Sequence, residues 1–146
     1  MKVNIGGHGR KSVYINSELF LDQGSCTRGG ACFIENQSEV TISNELFILN
    51  HVTKDGGGIF LYRCKFIVIQ NCTFICNYAK WGGAIYLEEC SDITISKNRF
   101  ILNFARRDGG AVSLSHCSNI KMITKNSFLF NIAMRSCKNI EFYCCN

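Results

Sequence analysis

The sequence predicts an all-β solenoid in which short coils stack to build three parallel sheets, a parallel β-helix, and three repeated features carry that expectation. A glycine-led hexapeptide occurs four times, as GGACFI from Gly29, GGGIFL from Gly56, GGAIYL from Gly82 and GGAVSL from Gly109, at spacings of 27, 26 and 27 residues. Eleven residues after each first glycine comes an alternating apolar pair, Val40/Ile42, Ile67/Ile69, Ile93/Ile95 and Ile120/Met122. Each copy then carries Phe-x-x-Asn, ending at Asn50, Asn77, Asn103 and Asn131, the last displaced by one inserted residue. Three strand-like segments in 26 or 27 residues leave no room for a helix-rich unit. A period of this size marks a solenoid, whose units bury their apolar sides only by stacking. The Leu-x-x-Leu-x-Leu pattern of leucine-rich repeats is absent.

The domain is read as a single unit over 1–146, about five coils, with coils at 29–55, 56–81, 82–108 and 109–134 and a partial coil at each end. SVYINSELF from Ser12 aligns with EVTISNELF from Glu39, and CKNIEF from Cys137 with CSNIKM from Cys117. In the first strand, Cys32/Ile59/Ile85/Val112 and Ile34/Leu61/Leu87/Leu114 are uniformly apolar and are expected to point inward. Alternation then leaves Phe33, Phe60, Tyr86 and Ser113 outside. The glycines permit a tight corner with positive φ.

Between first and second strands lies the column Gln37, Cys64, Cys90 and Cys117, extended by Cys137. A disulfide or metal reading, the latter adding His116 and Glu89, competes with a ladder of reduced thiols packed as small hydrophobes, and the thiol ladder is the reading adopted. In the third strand Phe47, Phe74, Phe100 and Phe128 are expected to stack inside, turning Ile48, Ile75, Ile101 and Leu129 outward as an apolar stripe that wants a cover. Asn50, Asn77, Asn103 and Asn131 are expected to form a ladder at the next corner, taking the left-handed conformation that asparagine tolerates.

Composition excludes several classes. Sixteen basic residues are scattered among 11 acids for a formal charge of +5, with Arg106-Arg107 the only strong pair, so nucleic acid is not an expected partner. No run approaches the roughly 18 apolar residues of a membrane span, and Met1 to Phe20 lacks the pattern of a secretory signal. Ten cysteines without a CxxC pair leave the compartment open, as do the sequons at Asn36 and Asn71. GGHGR at 6–10 lacks the Lys-Ser/Thr of a phosphate loop, and His8, His51 and His116 fall on different parts of the repeat. No metal, cofactor or catalytic residue is expected.

The residue before each glycine pair is the candidate site. Arg28, Asp55, Trp81 and Asp108 share a corner column, with Lys54, Lys80, Arg106 and Arg107 as neighbours. Acids and bases around an aromatic platform suit a sugar chain, so Asp55, Trp81, Arg107 and Asp108 are the expected ligand contacts. Asp55 and Asp108 lie two coils apart, roughly 9.6 Å by doubled strand spacing. Both are expected to be solvated and ionised, which argues against a general acid.

These GGA-[ILV] and FxxN motifs, in register over about 29–134, resemble the repeats of the chlamydial polymorphic outer membrane protein family. The resemblance implies a right-handed parallel β-helix of the pectin-lyase type, displayed at a cell surface and associated with adhesion, and it carries over no catalytic residues. The expected function is a non-enzymatic binding or structural module in a fragment or relative of a longer protein, with a glycan or a host or cell-surface protein as partner. A polysaccharide lyase or glycoside hydrolase on the same scaffold is the rival reading. Open coil ends are expected to self-associate.

Overall fold

The computed structural model describes residues 3–5, 13–16, 19–21, 26–121, 125–143 and 145. GGHGR with His8, Met122 of the second-strand pair, and Cys144 lie outside them. The glycine-led segments form a six-stranded parallel sheet in the order Val3–Ile5, Cys32–Glu35, Ile59–Tyr62, Ile85–Glu88, Val112–Ser115, Ile140–Tyr143. The apolar pairs build the second sheet from Val13–Asn16, Ser38–Ser43, Lys65–Gln70, Ser91–Ser96 and Ser118–Lys121. The Phe-x-x-Asn segments build the third from Leu19–Leu21, Leu46–Ile48, Thr73–Ile75, Arg99–Ile101 and Ser127–Leu129. Register follows the repeat residue for residue, as in Val40↔Ile67↔Ile93↔Ile120. The architecture is an all-β parallel solenoid without helix among the described residues.

A fourth ribbon was not expected. Tyr78–Ala79, Phe104–Ala105 and Ile132–Ala133 pair in parallel, and Cys26–Arg28 pairs with Val52–Asp55. Two-residue strands are too short to show alternation in sequence, and only neighbouring coils reveal them.

The interior is filled by the inward columns, with Cys32, Ile34, Ile59, Leu61, Ile85, Leu87, Val112 and Leu114 all at 0% exposure. Phe47, Phe74, Phe100 and Phe128 stack with ring centroids 4.7, 5.0 and 5.0 Å apart. Burying each such ring contributes about 1.5–3 kcal/mol.

Three expectations require correction. The left-handed residue at the third corner is not the asparagine but the residue before it: Leu49, Cys76, Leu102 and Phe130 have φ of 57, 54, 54 and 55°. That bend swings the preceding side chain outward and leaves the asparagine aimed into the stack. The Cys137 alignment is also displaced. Ile140–Tyr143 pairs with Val112–Ser115 in the first sheet, so Cys137, at φ 54°, occupies the glycine corner, and Cys145 takes the position in line with Cys117. Matching the Cys-x-Asn-Ile letters placed the segment in the wrong sheet, because only strand pairing distinguishes the two. Lastly, Phe60, Tyr86 and Ser113 face outward yet are buried, at 0, 9 and 3% exposure. Phe60 is stacked between Phe33 at 5.3 Å and Tyr86 at 5.4 Å, and the Arg28 guanidinium lies 5.2 Å over its ring.

Candidate functional site

The outer face of the first sheet and the corner preceding it enclose a groove of about 550 Å³. Its floor follows from strand register. Tyr86, Ser113 and Glu141 succeed one another in one column, and Ser115 and Tyr143 in the next. The corner supplies the wall: Trp81, Arg107, Asp108, Arg135 and Ser136.

Four of the wall residues are held through their side chains by a neighbour. The Trp81 ring has Lys80 Nζ 4.5 Å and Arg107 Cζ 5.2 Å from its centroid, cation–π contacts that fix the indole and keep positive charge at the groove. Asp108 Oδ1 accepts the Ser136 backbone N–H and hydroxyl, both at 2.9 Å. On the floor, Ser115 Oγ and His116 Nδ1 lie 2.9 Å apart, and the His116 ring meets Tyr143 edge-on at 5.5 Å. Burial pushes the Tyr86 hydroxyl up to about 12, so it stays protonated and can donate. Aromatic faces, hydroxyls and charges of both signs thus meet in one concavity, the donor and acceptor set that sugar rings require.

Of the four residues expected to contact ligand, Trp81, Arg107 and Asp108 meet in this groove, and Asp55 does not. Asp55 shares their column, bridging Trp81 in backbone pairing, but its side chain is 5% exposed and faces Arg28, whose Nε is 3.2 Å from Oδ2. Oδ1 has no hydrogen-bond partner among the described residues. Burial pushes its carboxyl up to about 6, against the pull of Arg28 and with Glu88 adding to the rise. The expectation of a solvated Asp55 is therefore overturned: Arg28, which also lies over Phe60, covers the corner acid.

Sequence reading missed Tyr86, Ser113, Ser115, Arg135, Ser136, Glu141 and Tyr143 as groove residues. Tyr86 and Ser113 were legible as an outward column. Glu141 and Tyr143 were not, since the displaced Cys137 alignment put them in another sheet.

The asparagines and cysteines hold the scaffold under this groove. Asn77 Oδ1 accepts from Asn50 Nδ2 at 3.0 Å, Asn103 Oδ1 from Asn77 Nδ2 at 2.9 Å, and Asn131 Oδ1 from Asn103 Nδ2 at 3.0 Å. A second ladder, not anticipated, joins Cys72, Asn98 and Asn126: Asn98 Oδ1 accepts the Cys72 N–H, and Asn126 Oδ1 accepts the Asn98 N–H, each at 2.9 Å. Asn98 and Asn126 both stand two residues before a core phenylalanine, the signal that could have found them. Cys64, Cys90 and Cys117 are free thiols whose Sγ atoms donate to carbonyls of the preceding coil, Ile34, Leu61 and Leu87. Cys90, in the middle, is held well above the usual thiol range by hydrogen bonds to Cys117 and Cys64 and by burial. Among the described residues no three His, Cys, Asp or Glu side chains gather as a metal site.

The family model for the right handed beta helix region matches residues 3–139, and the chain belongs to that family. Neither the curated proteins nor the solved structures contain a match to it.

Proposed function

We propose that this β-helix is a non-enzymatic glycan-binding module of adhesin type, working at a cell surface, with the first-sheet groove as its site. The observation that supports this reading is the convergence of Trp81, Tyr86 and Tyr143 with Arg107 and Arg135 on one concavity of about 550 Å³, the size of a small-ligand site. Trp81 is the platform for a sugar face, and Arg107 and Asp108 take its hydroxyls. Titration calorimetry against a panel of oligosaccharides tests it. At least one member should bind, and Trp81→Ala should weaken that binding about tenfold or more. A panel without binders, or a Trp81→Ala variant that binds unchanged, would sink the reading.

One observation favours a second reading, a glycoside hydrolase or polysaccharide lyase: Asp55 is a buried carboxyl raised to about 6, a value suited to a general acid. Against it, Asp55 lies outside the groove's lining. Reducing-end release from a polysaccharide, lost in Asp55→Asn, would establish this rival.

A further inference from the structure

Scattered along the sequence, four cations are drawn into one line by the fold. The backbone N–H of Lys80 donates to the Lys54 carbonyl, that of Arg107 to Lys80 and that of Arg135 to Arg107, at 2.6, 2.9 and 3.0 Å, so the four stand one per coil in successive coils. Each directly precedes a member of the corner column Asp55, Trp81, Asp108 and Ser136. Lys54, Arg107 and Arg135 are exposed and Lys80 is half-buried. Arg107 and Arg135 line the groove, Lys80 reaches the Trp81 ring, and Lys54 continues the line past it.

No acid neutralises this line. Among the described residues no carboxylate comes within ion-pair distance of any of the four, whereas Arg63 and Glu89, one coil apart in another column, meet at 2.7 Å. The acids beside the line are engaged elsewhere. Asp55 is buried against Arg28, Asp108 accepts two hydrogen bonds from Ser136, and Glu141 hydrogen-bonds the Cys137 thiol. Like charges set opposite one another on neighbouring strands repel, and an anion laid across them relieves that repulsion.

We propose that the groove and this column bind a linear acidic glycan laid along the solenoid axis, its carboxylate or sulfate groups meeting Lys54, Lys80, Arg107 and Arg135. The proposal deepens the glycan reading of the groove and rests on it. At Arg107 the acidic group of a sugar takes the place of a hydroxyl, and a guanidinium grips such an oxyanion through paired N–H bonds. Coils rise by roughly 4.8 Å, comparable to one pyranose unit of an extended chain, so successive acidic sugars meet successive cations. Lys54 stands three coils from Arg135, roughly 14 Å by tripled strand spacing. A single acidic sugar does not span that distance, and a chain of them does.

Titration calorimetry on the full chain tests the proposal, with an alginate hexamer carrying carboxylates, a heparin hexamer carrying sulfates as well, uncharged cellohexaose and a single-stranded DNA oligonucleotide as probes. At least one acidic hexamer should bind about tenfold or more tightly than cellohexaose, and its affinity should fall as salt rises. Binding of the alginate hexamer assigns the carboxylate, and binding of the heparin hexamer alone assigns the sulfate. Lys54→Gln/Arg135→Gln should weaken the acidic hexamer about tenfold and flatten its salt dependence, while the strand circular dichroism persists and the melting temperature holds or rises. Arg135→Gln alone supplies the same readout should the double variant not fold. Cellohexaose binding as tightly as the acidic hexamers overturns the acidic preference and leaves the glycan reading standing, whereas silence from all three saccharides overturns both. An oligonucleotide bound as tightly as the acidic hexamers also overturns the proposal, because the column would then serve any polyanion. So does acidic binding that these substitutions leave unchanged.

Discussion

Asn103 Oδ1 accepts both the backbone N–H of Asn77, at 3.0 Å, and its side-chain amide, at 2.9 Å, while Asn103 Nδ2 donates to the Phe74 carbonyl at 3.0 Å. One buried side chain thereby satisfies a corner amide, its neighbour in the ladder and a core carbonyl. Asn103→Ala removes a partner from all three inside the protein, the Asn77 side-chain amide keeping only its bond to the Phe47 carbonyl. The expected loss is on the order of 3–5 kcal/mol, since each orphaned buried group costs roughly 1–3 kcal/mol and the three are coupled. Denaturant unfolding checks it. A loss under about 1 kcal/mol, the scale of one ordinary hydrogen bond, would mean that water replaces the ladder.

Gly83 is constrained by its neighbours rather than by its φ. A Cβ there would stand 2.2 Å from the Gly110 carbonyl oxygen of the next coil and 2.7 Å from that of Phe104 in its own coil, both backbone atoms. Gly83→Ala is expected to force coils apart and to yield little folded protein. Recovery of the variant in the soluble fraction with an unchanged melting transition would contradict the close approach of the coils.

Asp55 makes a pH-dependent contribution with a definite sign. Its folded pKa of about 6 lies above the ordinary 3.8, so the folded chain binds the proton more tightly than the unfolded chain. The stability it contributes is greatest below the ordinary value, falls as pH rises toward about 6, and levels off above that. Asp55→Asn mimics the protonated form. It should melt close to the unaltered protein near the low end of this window and be more stable above it, by on the order of 1–2 kcal/mol after allowance for solvent screening. Parallel melting curves at every pH would show that Asp55 is solvated.

The thiols should sort by position. Native alkylation followed by peptide mapping is expected to mark exposed Cys137 and to spare Cys64, Cys90 and Cys117 until the chain unfolds. Rapid labelling of Cys90 in the folded protein would be incompatible with its place in the stack.

The coils and their register were legible in the sequence because a solenoid turns a one-dimensional period into physical stacking: residues one repeat apart become strand neighbours. Cys32, Ile59, Ile85 and Val112 could be assigned to one inner column from spacing alone, and Phe47, Phe74, Phe100 and Phe128 to another. Trp81 and Asp108 could be singled out for the same reason. What period could not supply is the shape between columns. Phe33, Tyr86 and the Arg28 guanidinium close over Phe60, Arg28 also covers Asp55, and the groove opens at Trp81. Glu141 joined the groove only when strand pairing, which depends on backbone hydrogen bonds and not on matching letters, drew Ile140–Tyr143 onto Val112–Ser115. Burial depends on which surfaces close over one another, and that is decided by tertiary contact.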